Sequence, residues 1–201
     1  REHGVLIHTD AVQSAGKLPI DVEELGIDLL SLSAHKLYGP KGIGALWIKR
    51  GTPPLVPLVF GGGQEKKRRG GTENVPGIVG FGKAAEIASS RLNDDASQLT
   101  SRRDRLKNKL FDQIPDLVIH GDPARGLPNT LSVAVKGGSG ETLLVRLDSR
   151  GISISTGTAC SSGVTQPSEV LQALGVPTDL IEGTLRLSLG RSTTEEDVDR
   201  V

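Results

Sequence analysis

Short apolar runs, each released into a turn of glycine or polar residues, recur through this chain, and that recurrence restricts it to brief strands with helices between them. In the first half, Val5 to His8 reads as a buried strand, followed by a loop that carries Asp10 and Gln13. Asp21 to Leu25 reads as about one helical turn. Asp28 to Ser33, with apolar Leu29, Leu30 and Leu32, reads as the next strand, and Ile43 to Ile48 as another. The turn Tyr38-Gly39-Pro40-Lys41-Gly42 leads into that last strand. Pro53, Pro54 and Pro57 then break the pattern. Gly61-Gly62-Gly63 and Lys66-Lys67-Arg68-Arg69-Gly70-Gly71-Thr72 make a flexible basic loop, suited to an anion through exposed backbone N–H groups and positive charge.

Val75 to about Ala88 and Asp94 to Phe111 read as helices, the second with Leu99, Leu106 and Leu110 on one side. The stretch from Ser89 to Asp94 is the expected domain boundary, giving domains over 1–92 and 93–201. Beyond it the pattern alternates again. Strands are expected at Leu117 to His120, Thr130 to Val135, Ile152 to Ser155 and Leu185 to Leu189, and helices at Gly140 to Leu147 and Ser168 to Leu174. A last helix opens at Thr194, where Thr193 or Thr194 with Glu196 or Asp197 resembles a capping box. The whole reads as an α/β part followed by a compact α+β part.

Composition excludes several partners. The 24 basic and 24 acidic residues cancel, which argues against nucleic acid or a membrane surface held by bulk charge, and aromatics for base stacking are scarce. No apolar run approaches the ~20 residues that span a bilayer, and the start has no signal-peptide pattern. A cytoplasmic location is expected. Arg1-Glu2-His3-Gly4 has no Met and runs at once into apolar residues, as in a chain cut inside a domain. The lone cysteine, Cys160, has no internal disulfide partner. His8 and His120 lack ligand spacing to it or to each other, so no metal site is expected.

Lys36 and Asp10 carry the chemistry. Each sits where a strand ends, the rim on which α/β sheets bind ligands. Pyridoxal phosphate (PLP) needs an amine for its imine, a carboxylate to keep the pyridine nitrogen protonated, and an anion site for its phosphate. Lys36 and Asp10 suit the first two demands. Gln13, Ser33 and His35 lie close enough in sequence to bond the ring oxygen and the phosphate side.

The stretches His8-Thr9-Asp10-Ala11-Val12-Gln13-Ser14-Ala15-Gly16-Lys17 and Ser33-Ala34-His35-Lys36-Leu37-Tyr38-Gly39-Pro40-Lys41-Gly42 resemble the PLP site of cysteine desulfurases. Arg69-Gly70-Gly71-Thr72-Glu73-Asn74 and Ser155-Thr156-Gly157-Thr158-Ala159-Cys160-Ser161-Ser162-Gly163 resemble the same family. The resemblance implies a fold-type I PLP-dependent transferase. It further implies a parent about twice as long, of which this chain is the C-terminal half: the C-terminal part of the large cofactor domain plus the small α+β domain.

By that resemblance Lys36 is the lysine that holds PLP as an internal Schiff base. Asp10 is the pyridinium partner, Gln13 bonds the ring oxygen, and Ser33 and His35 flank the phosphate. Thr72 reaches the phosphate of the other subunit, which implies a homodimer. Arg186 clamps the substrate carboxylate, whereas Arg191 reads as structural. Cys160, in a loop of Gly, Ser and Thr, resembles the nucleophile that takes sulfur from L-cysteine as a persulfide, leaving alanine. The long segment around it resembles the branch tied to iron–sulfur cluster assembly, with a sulfur-acceptor or scaffold protein as partner. Gln166 stands where that branch often has glutamate. The alternatives are a selenocysteine lyase-like relative, and a catalytically silent module that docks a sulfur acceptor.

Overall fold

A computed structural model describes residues 3–156 and 168–201. The chain divides into two compact units, Arg1–Leu92 and Asn93–Val201.

The first unit is built on β1 (His8–Asp10), β2 (Leu29–Ser33) and β3 (Gly44–Ile48), in the order β1-β2-β3. β1 runs parallel to β2, and β3 runs antiparallel to it. The first strand begins later than the apolar run predicts, because pairing starts at the buried Asp28. Its Oδ2 accepts from Ile7 N at 3.0 Å, and its own N–H donates to Ile7 O at 2.9 Å. Val5 and Leu6, upstream of that clasp, stay exposed. The expected helical turn at Asp21 is a closed turn: Leu25 N donates to Asp21 O, while Asp21 Oδ1 accepts from Glu23 N and Glu24 N.

The basic loop contains a short segment, α1 (Gln64–Lys67), in which Glu65 and Lys66 have left-handed φ of 49° and 56°. α2 (Val75–Ser90) follows, with the Asn74 side chain accepting from Gly77 N at 3.1 Å as its N-cap. Its buried face is Gly77, Phe81, Ala84 and Ala88. That helical spacing of mostly small residues lets neighbouring turns approach closely.

In the second unit, α3 (Leu92–Gln113) leads to β4 (Leu117–Ile119), β5 (Thr130–Val135), α4 (Gly140–Asp148) and β6 (Ser155–Thr156). Then come α5 (Glu169–Ala173), α6 (Thr178–Glu182), β7 (Thr184–Ser188) and α7 (Glu195–Arg200). The sheet is antiparallel, in the order β4-β5-β7-β6. β6 is shorter than the expected strand from Ile152, because Ile152 N donates to Leu147 O at 3.0 Å and closes the end of α4. The five-residue α6 is absent from the sequence reading. At α7 the capping box resolves to Thr194 and Asp197. Asp197 N donates to Thr194 Oγ1 at 3.1 Å, and Thr194 N donates to Asp197 Oδ2 at 2.8 Å.

Leu99 and Leu106 of α3 pack with Leu117, Leu131, Val133, Leu185, Leu187 and Val198 into one aliphatic core. Asp95 and Arg191 form an ion pair at 2.7 Å with the carboxylate almost fully buried, which gives Arg191 a structural part. No helix among the described residues is long and apolar enough to cross a membrane.

Candidate functional site

Parallel pairing of β1 and β2 fixes the site's geometry. The register sets Asp10 opposite Ser31, and Ala11 N donates to Ser31 O at 3.0 Å, so both strands end at the same sheet edge. The turn after β1 carries Gln13 and the turn after β2 carries Lys36, and a ligand at that edge meets both.

Lys36 sits in a single 3-10 turn, Ala34–Leu37. With about three residues per turn, positions 34 and 37 share a face. Ala34 and Leu37 are buried, and His35 and Lys36 are exposed. Ala34 N donates to Ile43 O at 3.1 Å, and Gly39 N donates back to Ala34 O at 2.9 Å. Tyr38 accepts the left-handed conformation between them, with φ 62°. Such a position in a non-glycine residue costs on the order of 1 kcal/mol. Gly39 explains why the turn tolerates it: a Cβ there would stand 2.9 Å from Ala84 Cβ and 3.0 Å from Ala34 O. The turn is pressed onto α2 too closely for any side chain at that position.

Around this turn the polar groups are partly engaged. Ser33 Oγ and His35 Nδ1 are hydrogen-bonded at 2.8 Å. Asp10 Oδ1 accepts from Val12 N at 2.9 Å. That bond orients the carboxylate, as a partner for a protonated ring nitrogen requires. Gln13 is exposed beside it. An exposed amine, an oriented carboxylate and a hydroxyl–imidazole pair at one sheet edge fit the two ends of PLP.

Thr72 is exposed, two residues before the Asn74 cap. The basic loop proves internally braced. Arg69 Nη1 donates to the carbonyls of Gly70 and Gly71 at 2.9 and 3.1 Å, so this cation is turned to its own backbone.

In the second unit, Arg186 lies on β7 opposite Ser155 of β6. Its Nη2 donates to Ser155 Oγ at 3.3 Å, and its buried Nε has no hydrogen-bond partner among the described residues. Leaving a guanidinium N–H unpaired inside a protein is costly, and a carboxylate is the natural acceptor for it. Cys160 and Gln166 lie outside the described residues. The sequence predicts no role for Ser155, the register partner of Arg186. Ser155 opens the segment that leads to Cys160, and only the β6–β7 register reveals its neighbour.

The class-V aminotransferase model matches residues 1–201. The chain belongs to that family, whose members depend on PLP and share the fold-type I architecture. It is 52% identical over 201 residues to the cysteine desulfurase IscS of Methanosarcina thermophila, covering 100% of this chain and 49% of that protein. To a cysteine desulfurase of Sinorhizobium fredii it is 50% identical over 198 residues, 98% of this chain and 51% of that one. Among solved structures, a NifS-like protein superposes with a TM-score of 0.88 at 41% identity, covering 98% of this chain and 50% of the other. The chain thus spans about half the length of the curated relatives it matches.

Proposed function

We propose that the chain is the C-terminal half of a cytoplasmic, PLP-dependent cysteine desulfurase that converts L-cysteine to L-alanine and passes the sulfur to an acceptor or iron–sulfur scaffold protein. Residues 1–92 are read as the end of the large cofactor domain and 93–201 as the small domain. The observation that carries the reading is the common edge on which the oriented Asp10 carboxylate and the exposed Lys36 amine open.

Bound there, PLP supplies an electron sink beside the substrate Cα. Lys36 would hold the cofactor through its nitrogen, and the same amine would move the substrate Cα proton. Asp10 keeps the ring nitrogen protonated, Gln13 bonds the ring oxygen, and Ser33 with His35 faces the phosphate. Arg186 would take the substrate carboxylate through its unpaired Nε–H. Cys160, as thiolate, forms the new S–S bond to the substrate sulfur. The electron pair of the broken C–S bond returns to the carbon fragment, which is protonated and leaves as alanine. Thr72 serves the phosphate of a second copy in a homodimer, and exposed Val56, Leu58 and Phe60 in the same unit supply apolar surface for such a contact.

Adding PLP and scanning for an imine absorption band tests this reading, with Lys36→Ala as control. A band in wild type that vanishes in Lys36→Ala is expected, and a band that survives the substitution refutes the assignment. Cys160→Ala in a turnover-competent protein should abolish persulfide transfer, and wild-type sulfide release by that variant would exclude the persulfide route. The exposure of Asp10, Gln13, His35 and Lys36 favours a second reading for the isolated chain: weak PLP binding with little turnover, as a module that docks a sulfur acceptor.

A further inference from the structure

We propose that Ser155 is a positioning residue for Arg186: its hydroxyl holds the guanidinium by one nitrogen, leaves the positive charge unneutralised, and keeps the buried Nε–H aimed at a substrate carboxylate. The inference rests on the reading of Arg186 above and adds the residue that orients it.

Arg186 lies in the middle of β7, with Ser132 of β5 as its register partner on one side and Ser155 of β6 on the other. Its strand neighbours Leu185 and Leu187 belong to the aliphatic core. Side chains alternate along a strand, and directly opposed residues share a face, so Arg186 stands on the far face between two small hydroxyl residues. Among the described residues only Ser155 bonds it, Oγ accepting from Nη2 at 3.3 Å.

Ser155 is itself held in place. Thr156, the other residue of β6, pairs with Leu185. A Cβ on Gly140, at the start of α4, would stand 3.2 Å from Thr156 Cγ2 and 3.0 Å from Thr184 O. The helix is thus seated against both strands as closely as a glycine permits, and at such packing density β6 does not shift alone.

The kind of partner decides what an arginine can do. Arg191, further along the chain, is bound to the buried Asp95 carboxylate at 2.7 Å, so its charge is answered inside the fold. A hydroxyl accepts one hydrogen bond and brings no counter-charge. Arg186 therefore keeps its charge, and its buried Nε has no hydrogen-bond partner among the described residues. Such an edge suits a carboxylate, which takes charge-assisted hydrogen bonds in the plane of the guanidinium. Removing the Ser155 hydroxyl leaves the charge in place and frees the side chain to turn, so the loss falls on aim.

Proton–nitrogen NMR of arginine side chains in the whole cofactor-free chain tests this. The Arg186 Nε–H signal is assigned by its loss in Arg186→Lys and titrated with propionate, which carries the carboxylate and the carbon skeleton of the substrate. In wild type, propionate should shift the signal saturably and propionamide should not. Ser155→Ala should move the free signal and raise the propionate concentration at half-shift roughly five- to tenfold, the size of one hydrogen bond to a charged group. Ser132→Ala, which removes the same bulk from the other flank, should change neither. Ser155→Thr should stay near wild type, whereas Ser155→Val, matched to it in shape without the hydroxyl, should behave like Ser155→Ala. That pair decides the matter if the alanine variant disturbs the edge strand. Equal behaviour of the threonine and valine variants, or a Ser132→Ala effect as large as that of Ser155→Ala, overturns the inference. The two claims also fail separately. A free signal moved by Ser155→Ala, with no response of wild type to propionate, defeats the reading of Arg186 as a carboxylate clamp. Equal propionate titrations in wild type and Ser155→Ala defeat only the role of Ser155.

Discussion

The two units bury different kinds of core. In the second, Leu131 and Val133 at the centre of the sheet are 1% and 2% exposed, and leucines of α3 and β7 close over them. In the first, the cluster under the lysine turn is built on alanine, with Ala15, Ala34, Ala84 and Ala88 around Leu37 and Phe81, and a separate small cluster holds Ala11, Ile27 and Leu30. The same unit leaves Leu58 96% and Phe60 80% exposed. A buried leucine contributes on the order of 2 kcal/mol, an alanine far less. The unit that carries the lysine edge has exchanged burial for close approach. Gly16 on Leu37 and Gly39 on Ala84 set the turns accurately but bury little. The unit with the larger side chains is the one equipped to hold itself together.

The largest test of that contrast is to separate the units. Expressed alone, residues 93–201 should unfold cooperatively in urea, whereas residues 1–92 should bind a hydrophobic dye and melt without a sharp transition. A reversed outcome would break the comparison.

Single substitutions sharpen it. Leu131→Ala should destabilise the second unit by about 3 kcal/mol, within the range for leucines deleted from cores that cannot collapse around the gap. In the first unit the informative change is an addition. Gly39→Ala places a methyl 2.9 Å from Ala84 Cβ, and overpacking of this kind costs about 1–3 kcal/mol. Because the same turn presents Lys36, Gly39→Ala should also weaken the PLP band. An unaltered band would show that the seating of the turn on α2 does not set the lysine.

Smaller still, Thr194→Ala should cost about 1 kcal/mol in urea titrations by removing one half of the capping box. Thr194→Ser should restore most of it. The α7 end is also tied to α3 by Asp199, whose carboxylate takes Arg105 Nη2 at 2.7 Å and Lys109 Nζ at 3.0 Å. These groups are solvent-exposed, and such pairs contribute little, so the cap should dominate.

How far the sequence could be read depended on whether a feature was local. The strands at Leu29, Thr130 and Leu185, the helices at Val75 and Gly140, and the cap at Thr194 follow from periodicity and from side chains that bond their own backbone. The start of β1 did not, because it is set by Asp28, which clasps Ile7 across 21 positions. The shortness of β6 did not, since Ile152 is spent on closing α4. At the candidate site, Asp10 and Lys36 could be paired through chemistry and motif. The neighbour Ser155 could not, because it meets Arg186 only through strand register.

The smallest effect tests whether the second unit's core extends to its polar rim. His120, just past β4, bonds through Nε2 to Thr184 Oγ1 at 2.9 Å, and that hydroxyl donates to Leu180 O at 2.8 Å. With its proton committed, the Thr184 oxygen is an acceptor, so the neutral ring carries its hydrogen on Nε2. Burial lowers the proton affinity of His120 below the ordinary histidine value. The unfolded chain therefore binds a proton more readily than the folded one, and stability rises with pH wherever that holds. The contribution is complete above about pH 6.5, the ordinary value, and is lost as pH falls through the lower folded-state value. Urea midpoints measured on either side of that window should fall with pH more steeply for wild type than for His120→Gln, which keeps a donor toward Thr184 but cannot titrate. Equal slopes would mean that the packing which buries Thr184 stops short of His120.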